Sequence, residues 1–144
     1  MTGHPNTRSR SARDSNTVRV LAFAPEATMQ WIEDDVAGEA ISLQIARSVG
    51  QVVSALVEDP PPRATILVAD FDAISPADLL QLHSIRERGW FGAIVGLGQV
   101  PVPLRTSLAI AQVIAPPFRR HALRNAITRA GIFTATTKIP KLDG

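Results

Sequence analysis

The chain has 144 residues, 45% of them apolar, and a formal net charge of +2, which leaves room for one domain with a real core and no more. It contains no cysteine, so disulfides, thiolate metal sites and cysteine nucleophiles are excluded. No apolar run approaches the roughly 20 residues that cross a bilayer, and Met1 to Asn16 lacks the apolar stretch of a secretory signal, so the expectation is a soluble, cytoplasmic protein without a membrane span.

In chain order, residues 1–16 are polar and too poor in large apolar side chains to offset the entropy of ordering, and read as a disordered tail. The domain is expected over residues 17–131. Val18 to Phe23 is a β-rich run. Pro25 opens a helix whose Met29, Ile32 and Val36 fall on one face. Ile41-Ser42-Leu43-Gln44-Ile45 alternates apolar with polar, the pattern of a half-buried edge strand. Val49, Val52, Val53, Leu56 and Val57 repeat at helical spacing until Pro60-Pro61-Pro62 stops them. Ala64 to Ala69 is continuously apolar apart from Thr65, as a central parallel strand covered on both faces should be.

Ser75-Pro76-Ala77-Asp78 is a helix start, with a Ser cap, Pro at the first helical position and an acid three residues after the cap. That helix runs to about Arg88, with Gly89 as its stop. Gly92 to Leu97 is a fourth strand and Ala111 to Ala115 a fifth, with at most a short helix between Pro103 and Ile110. A last helix follows Pro117, burying Leu123, Ala126 and Ile127 and exposing Arg119, Arg120, Arg124 and Arg129. Residues 132–144 read as a second tail. Five strands alternating with helices predict an α/β fold, a doubly wound parallel sheet for which the flavodoxin-like order 2-1-3-4-5 is the natural topology. Any site then lies at Ala24-Pro25-Glu26, Asp70-Phe71-Asp72, Leu97-Gly98-Gln99 and Ala115-Pro116-Pro117.

Two stretches, ATILVAD ending at Asp70 and VIAPPF ending at Phe118, resemble the third and fifth strands of response-regulator receiver domains. Element order and connection lengths agree from Val18 to Arg129. The resemblance implies a site in which two acids after the first strand hold a divalent metal and an Asp after the third accepts a phosphoryl group. A hydroxyl after the fourth strand and a Lys after the fifth engage the phosphate. Here Asp70 stands at the acceptor position, but the paired acids align with Ala24 and Pro25, with Glu26 beside them. The hydroxyl position is Gly98, the Lys position Pro116, and the aromatic switch position Val113. Asp72 lies where the family offers a backbone carbonyl to the metal.

One carboxylate with a displaced second acid is a poor Mg²⁺ site. The resemblance therefore implies a degenerate pseudo-receiver: not an enzyme, with no cofactor, metal or small-molecule substrate, working independently of phosphorylation. Asp70 and Asp72 read more simply as loop caps than as a metal pair. Two alternatives remain open, an atypical regulator still phosphorylated on Asp70 with help from Glu26, and a basic nucleic-acid-associated regulator.

Charge bears on the partner. Glu26, Glu33, Asp34, Asp35 and Glu39 crowd one segment, whereas Arg105 to Lys141 holds seven basic residues and no acid. Arg119, Arg120, Arg124 and Arg129 thus offer a docking surface for a protein partner or a second copy, through the last two strand–helix units. Nucleic acid is the weaker expectation, because one helix without interleaved aromatics is thin evidence. Trp31 reads as a helix-boundary residue. Trp90 and Phe91 read as packing over the sheet edge, with an aromatic anchor as the alternative. His4, His83 and His121 have no ligand spacing.

Overall fold

The computed structural model describes residues 18–58 and 65–130. Both expected tails and the proline stop at 60–62 lie outside them. The elements are β1 (Val18–Phe23), α1 (Glu26–Val36), β2 (Ile41–Ile45), α2 (Val49–Val57), β3 (Ile66–Asp70), a 3-10 turn (Phe71–Ala73), α3 (Pro76–Glu87), β4 (Ile94–Leu97), α4 (Val102–Leu108) and β5 (Gln112–Ile114). Residues 122–130 form a further helix, α5. The strands pair in parallel in the order β2-β1-β3-β4-β5, the expected topology.

Strand periodicity divides the core into two halves. Leu21, Leu67, Ala69 and Ile94 pack with α2, α3 and α4 on one face. Val20, Ala22, Ile66, Val68, Val95 and Leu97 pack with α1 and α5 on the other. This is why β3 is apolar throughout: every residue from Ile66 to Asp70 is buried. β2 sits at the sheet edge with Ser42, Gln44 and Ile45 exposed. The Ser75 hydroxyl accepts from the Asp78 N–H at 3.2 Å, and Gly89 leaves α3 at φ +100°, a conformation that favours glycine.

Several boundaries differ from expectation. Val57 is exposed, because α2 presents Val49, Val52 and Leu56 to the sheet. β4 starts at Ile94 rather than Gly92, since residues 90–92 serve to seat an indole: Trp90 is buried, and a Cβ at Gly92 would lie 2.2 Å from its ring. Phe91 turns outward, 84% exposed. The stretch after Pro101 is a true helix ending in a left-handed Ala109. α5 begins only at residue 122, because residues 115–121 form an irregular turn with a cis Pro116–Pro117 bond and a left-handed His121 (φ +70°). Arg119 and Arg120 therefore lie before the helix, not on it.

Arg86 fastens one face of this framework. Its guanidinium donates to the carbonyls of Leu108 (2.8 Å), Ala109 (3.2 Å), Trp90 (3.0 Å) and Gly92 (2.8 Å), and lies 4.9 Å from the centroid of the Trp90 ring. One planar fork thus joins the ends of α3 and α4 to the approach of β4. Burial pushes its pKa down to about 10, which still leaves it charged at neutral pH. Arg86→Ala orphans four backbone acceptors, and a loss of about 3 kcal/mol is expected. Arg86→Lys should recover little of it, because an ammonium cannot reproduce the fork. Leu67→Ala, in the centre of the sheet, should cost about 2–4 kcal/mol. Urea melts of the three variants check both statements; a lysine variant as stable as wild type would show that charge alone suffices.

Candidate functional site

The parallel strands bring the four expected loops to one end of the sheet. At the end of β1, Ala24 and Pro25 offer no side-chain oxygen, and Pro25 caps α1 without a side-chain hydrogen bond. Glu26 is exposed in the first turn of α1. At the end of β3, Asp70 is buried, and its Oδ1 accepts from the Asp72 N–H at 3.0 Å. A second partner comes from α1, where the Thr28 side chain hydrogen-bonds the Asp70 carboxylate. Thr28 carried no mark in the sequence; it lies three residues after Pro25, one helical turn into α1, which aims it back at the strand ends.

Asp72 turns its carboxylate away from Asp70 and across the crevice. Its Oδ1 accepts from the Gln99 N–H at 3.2 Å, and a Cβ placed on Gly98 would fall 2.4 Å from its Oδ2. Gly98 has φ +93° and donates its N–H to Ile114 at 2.9 Å. Any larger residue at 98 would displace the Asp72 carboxylate. The position that the receiver resemblance reserves for a hydroxyl is filled from below by an acid. At the end of β5, Pro116 is exposed, and Val113 is half-buried against the α2–α4 side of the core.

This donor set does not fit a divalent metal. Positions 24 and 25 supply no side-chain oxygen, the Asp72 carboxylate is engaged by a backbone N–H, and among the described residues no three His, Asp or Glu side chains stand together in an arrangement that could hold an ion. What the site does hold is two neighbouring acids, Asp70 and Asp72. Burial raises the Asp70 pKa above its ordinary 3.8, the Asp72 N–H bond opposes that shift, the Asp72 charge adds to it, and Thr28 lowers it slightly.

The arginines of the predicted docking surface divide. Arg119, Arg120 and Arg129 are exposed. Arg124 does not face outward as expected: its side chain is only 30% exposed, and its Nη2 lies 3.4 Å from Glu39 Oε2. Between α1 and the 115–121 turn, Trp31 stacks on Phe118 with centroids 4.8 Å apart, and its Nε1 donates to the Arg119 carbonyl at 3.2 Å. Asp35, one of the acids that crowd the 26–39 segment, is buried. It accepts from the N–H groups of His121, Leu123 (2.9 Å) and Arg124 (3.0 Å). The signal was there: Asp35 falls three residues after Ile32 and one before Val36, on the buried side of α1. His83 bridges α3 to α4 through the Leu79 carbonyl and Ser107 Oγ, a structural role.

The chain is similar to solved receiver domains over most of its length. One is the signal receiver domain of an HD domain-containing protein from Pseudomonas fluorescens Pf-5, with TM-score 0.68, 15% identity, and 85% of this chain and 92% of that one covered. Another is a response regulator receiver domain protein from Clostridium thermocellum, with TM-score 0.64, 18% identity, and coverage of 85% and 98%. A third belongs to a Saccharomyces cerevisiae co-crystal of a histidine phosphotransfer signaling protein with the receiver domain of its downstream response regulator, with TM-score 0.59, 16% identity, and coverage of 78% and 87%. No protein-family model and no curated protein matches the sequence. The fold is that of the receiver domains, a five-stranded flavodoxin-like sheet with the strand order shown above.

The raised Asp70 pKa sets a pH dependence. The folded protein holds this proton more tightly than the unfolded chain, so the contribution favours folding below 3.8 and is lost as pH rises through the raised value. Asp70→Asn keeps an acceptor for the Asp72 N–H and cannot ionise. It is expected to melt higher than wild type at neutral pH, with the gain shrinking as the pH falls toward the ordinary carboxylate value. Calorimetry across that range checks it; a gain that grows on acidification would mean that hydrogen bonds outweigh burial at Asp70.

Proposed function

We propose that this domain is a pseudo-receiver, a signalling module that docks other proteins without being phosphorylated and catalyses nothing. The observation that supports it best is the Asp72 carboxylate lying over Gly98 on the Gln99 N–H. In phosphoryl transfer, catalysis is mostly positioning and charge neutralisation by metal and cations. This crevice offers instead two acids, one of them in the hydroxyl's place, and a proline where the cation should be. An incoming phosphoryl group at Asp70 would meet the Asp72 carboxylate and no basic side chain at position 116.

The module reading takes its partner class from the neighbours only by analogy: one of them was solved with a histidine phosphotransfer protein. On this chain the docking surface is assigned to the segment after β5, where Arg119, Arg120 and Arg129 are exposed. The assigned place of action is the cytoplasm; no helix among the described residues is long and apolar enough to cross a membrane.

Titration with Mg²⁺ and fluoroberyllate, followed by the amide resonance of Gln99, tests the reading. No saturable shift is expected at millimolar concentrations, and no gain in melting temperature. A saturable shift abolished by Asp70→Ala would restore Asp70 as a phospho-acceptor and overturn the pseudo-receiver reading.

A further inference from the structure

The two edges of the sheet are not alike. β5 is three residues long, and a short edge gives another chain little to pair with. β2 runs for five residues, Ile41–Ile45, with no charge and no proline, the devices that usually keep a strand edge from acting as a template. The Val18 N–H donates to the Ala40 carbonyl at 3.0 Å and the Ala46 N–H to the Ala22 carbonyl at 2.8 Å. The even-numbered positions of β2 therefore turn their backbone groups toward β1. Alternation sends the Ile41 carbonyl, and both backbone groups of Leu43 and Ile45, out to the free edge.

We infer that β2 pairs antiparallel with β2 of a second copy, about a two-fold axis at Leu43, so that the two sheets run on as one. A two-fold contact sets one surface against itself and needs a self-complementary pattern. The stretch Glu39-Ala40-Ile41-Ser42-Leu43-Gln44-Ile45-Ala46-Arg47 has that pattern: it mirrors in polarity about Leu43, and its two ends carry opposite charge.

With Leu43 opposite itself, the Leu43 N–H of each copy meets the Leu43 carbonyl of the other, and the Ile45 N–H meets the Ile41 carbonyl. Ile41 then faces Ile45 on the α1 side, where Ile41 and Leu43 are only partly buried within one chain. The exposed Ser42 faces the exposed Gln44 on the α2 side. There an open groove of about 510 Å³, lined in part by Gln44, Ile45, Gln51 and Ser54, leaves room for a neighbouring strand. Beyond each end of the ladder, the exposed Arg47 of one copy comes to Glu39 of the other, an acid that already holds Arg124 at 3.4 Å.

Other pairings lose these matches. Parallel pairing in register sets Arg47 against Arg47 and Glu39 against Glu39, and like charges placed opposite destabilise a sheet. An antiparallel slip of two residues sets Ile45 against Glu39 or Ile41 against Arg47. An unrelated extended peptide could take the outward N–H groups, but nothing in it answers to the mirrored order. So short a ladder makes a small interface, and the dimer is a weak one. It does not depend on whether Asp70 takes a phosphoryl group.

Sedimentation velocity and amide exchange of the full chain test this. Wild type is expected to dimerise reversibly at high micromolar concentration. Exchange at Leu43 and Ile45 should slow as concentration rises, while that of Ala46, already bonded to Ala22, stays constant. Ser42→Lys with Gln44→Lys places like charges opposite each other, as does Ser42→Glu with Gln44→Glu. Each variant alone should be monomeric with an unchanged melting temperature, and an equimolar mixture should recover a dimer. The register has its own check, because the chain has no cysteine. Ser42→Cys mixed with Gln44→Cys should oxidise to a mixed disulfide faster than either variant joins to itself; this mild pair also carries the test if the charged variants impair folding.

A wild type that stays monomeric at millimolar concentration overturns the inference. So does a dimer indifferent to both charged variants, a loss that mixing does not restore, or a mixed disulfide no faster than the self-joined ones. Protection of Leu43 and Ile45 that ignores concentration would overturn it too, and would mean that the chain covers its own edge.

Discussion

Three backbone N–H groups, those of His121, Leu123 and Arg124, converge on the buried carboxylate of Asp35. Helix N-termini leave such donors without intrahelical partners, and a carboxylate there also meets the favourable end of the helix dipole. The bond set reaches across 86 to 89 residues of sequence and seats α5 beside α1, so that Leu123, Ala126, Ile127 and Ala130 can join Met29, Ile32 and Val36 in one half of the core. It also holds His121 in a left-handed conformation that a non-glycine residue does not adopt freely. The positions of Arg119, Arg120 and the Trp31–Phe118 stack all follow from that seat. On the opposite face Arg86 has the complementary role, a buried cation satisfied by carbonyls. Both groups answer the same need: β5 is short and its flanking turns are irregular, so backbone groups there find partners in side chains instead of a ladder.

The crevice is shaped by what glycine permits at position 98. A receiver-type hydroxyl there would occupy the space into which Asp72 now reaches. The replacement changes the sign of the local field, since an acceptor that wants a proton or a cation stands where a donor to phosphate would be. Burial of Asp70 against that charge then favours its neutral form. Pro116, Ala24 and Pro25 bring no charged side chain to these loops, and the Asp72 carboxylate beside Gly98 adds negative charge to them.

Much of the fold was legible because its signals are local. β3 reads as central from its unbroken apolar run, α3 from Ser75-Pro76 and Gly89, and β2 as an edge from its alternation. The chemistry of the strand-end residues was equally legible, since the absence of a side-chain oxygen at Ala24, Pro25 or Gly98 is a property of one residue. The pairings across long loops were not. Asp35 sits in a run with Glu33 and Asp34 that has the composition of a solvated face, and only its phase relative to Ile32 and Val36 marks it. Arg86 looks like any helix-surface arginine until the carbonyls of Leu108 and Ala109 are brought to it. The fate of Asp72 depends on a glycine 26 residues later in the chain and on the hydrogen bond its neighbour Gln99 makes to it. The late start of α5 was hidden because nothing local forbids a helix right after Pro117; the Asp35 clasp is what fixes it at residue 122.

These features bear on how such a module could be controlled. A ligand moves a conformational equilibrium only by the difference in its affinity for the two states. In a receiver that difference comes from a phosphoryl group that is present or absent. Here the anion at the β4–α4 loop is Asp72, part of the chain and present at constant stoichiometry. A permanently attached group cannot bias one state in response to a signal; it sets a single resting balance. If, as proposed, no phosphoryl group enters, control comes from outside the crevice, through the amount of the protein or through competition for its surface.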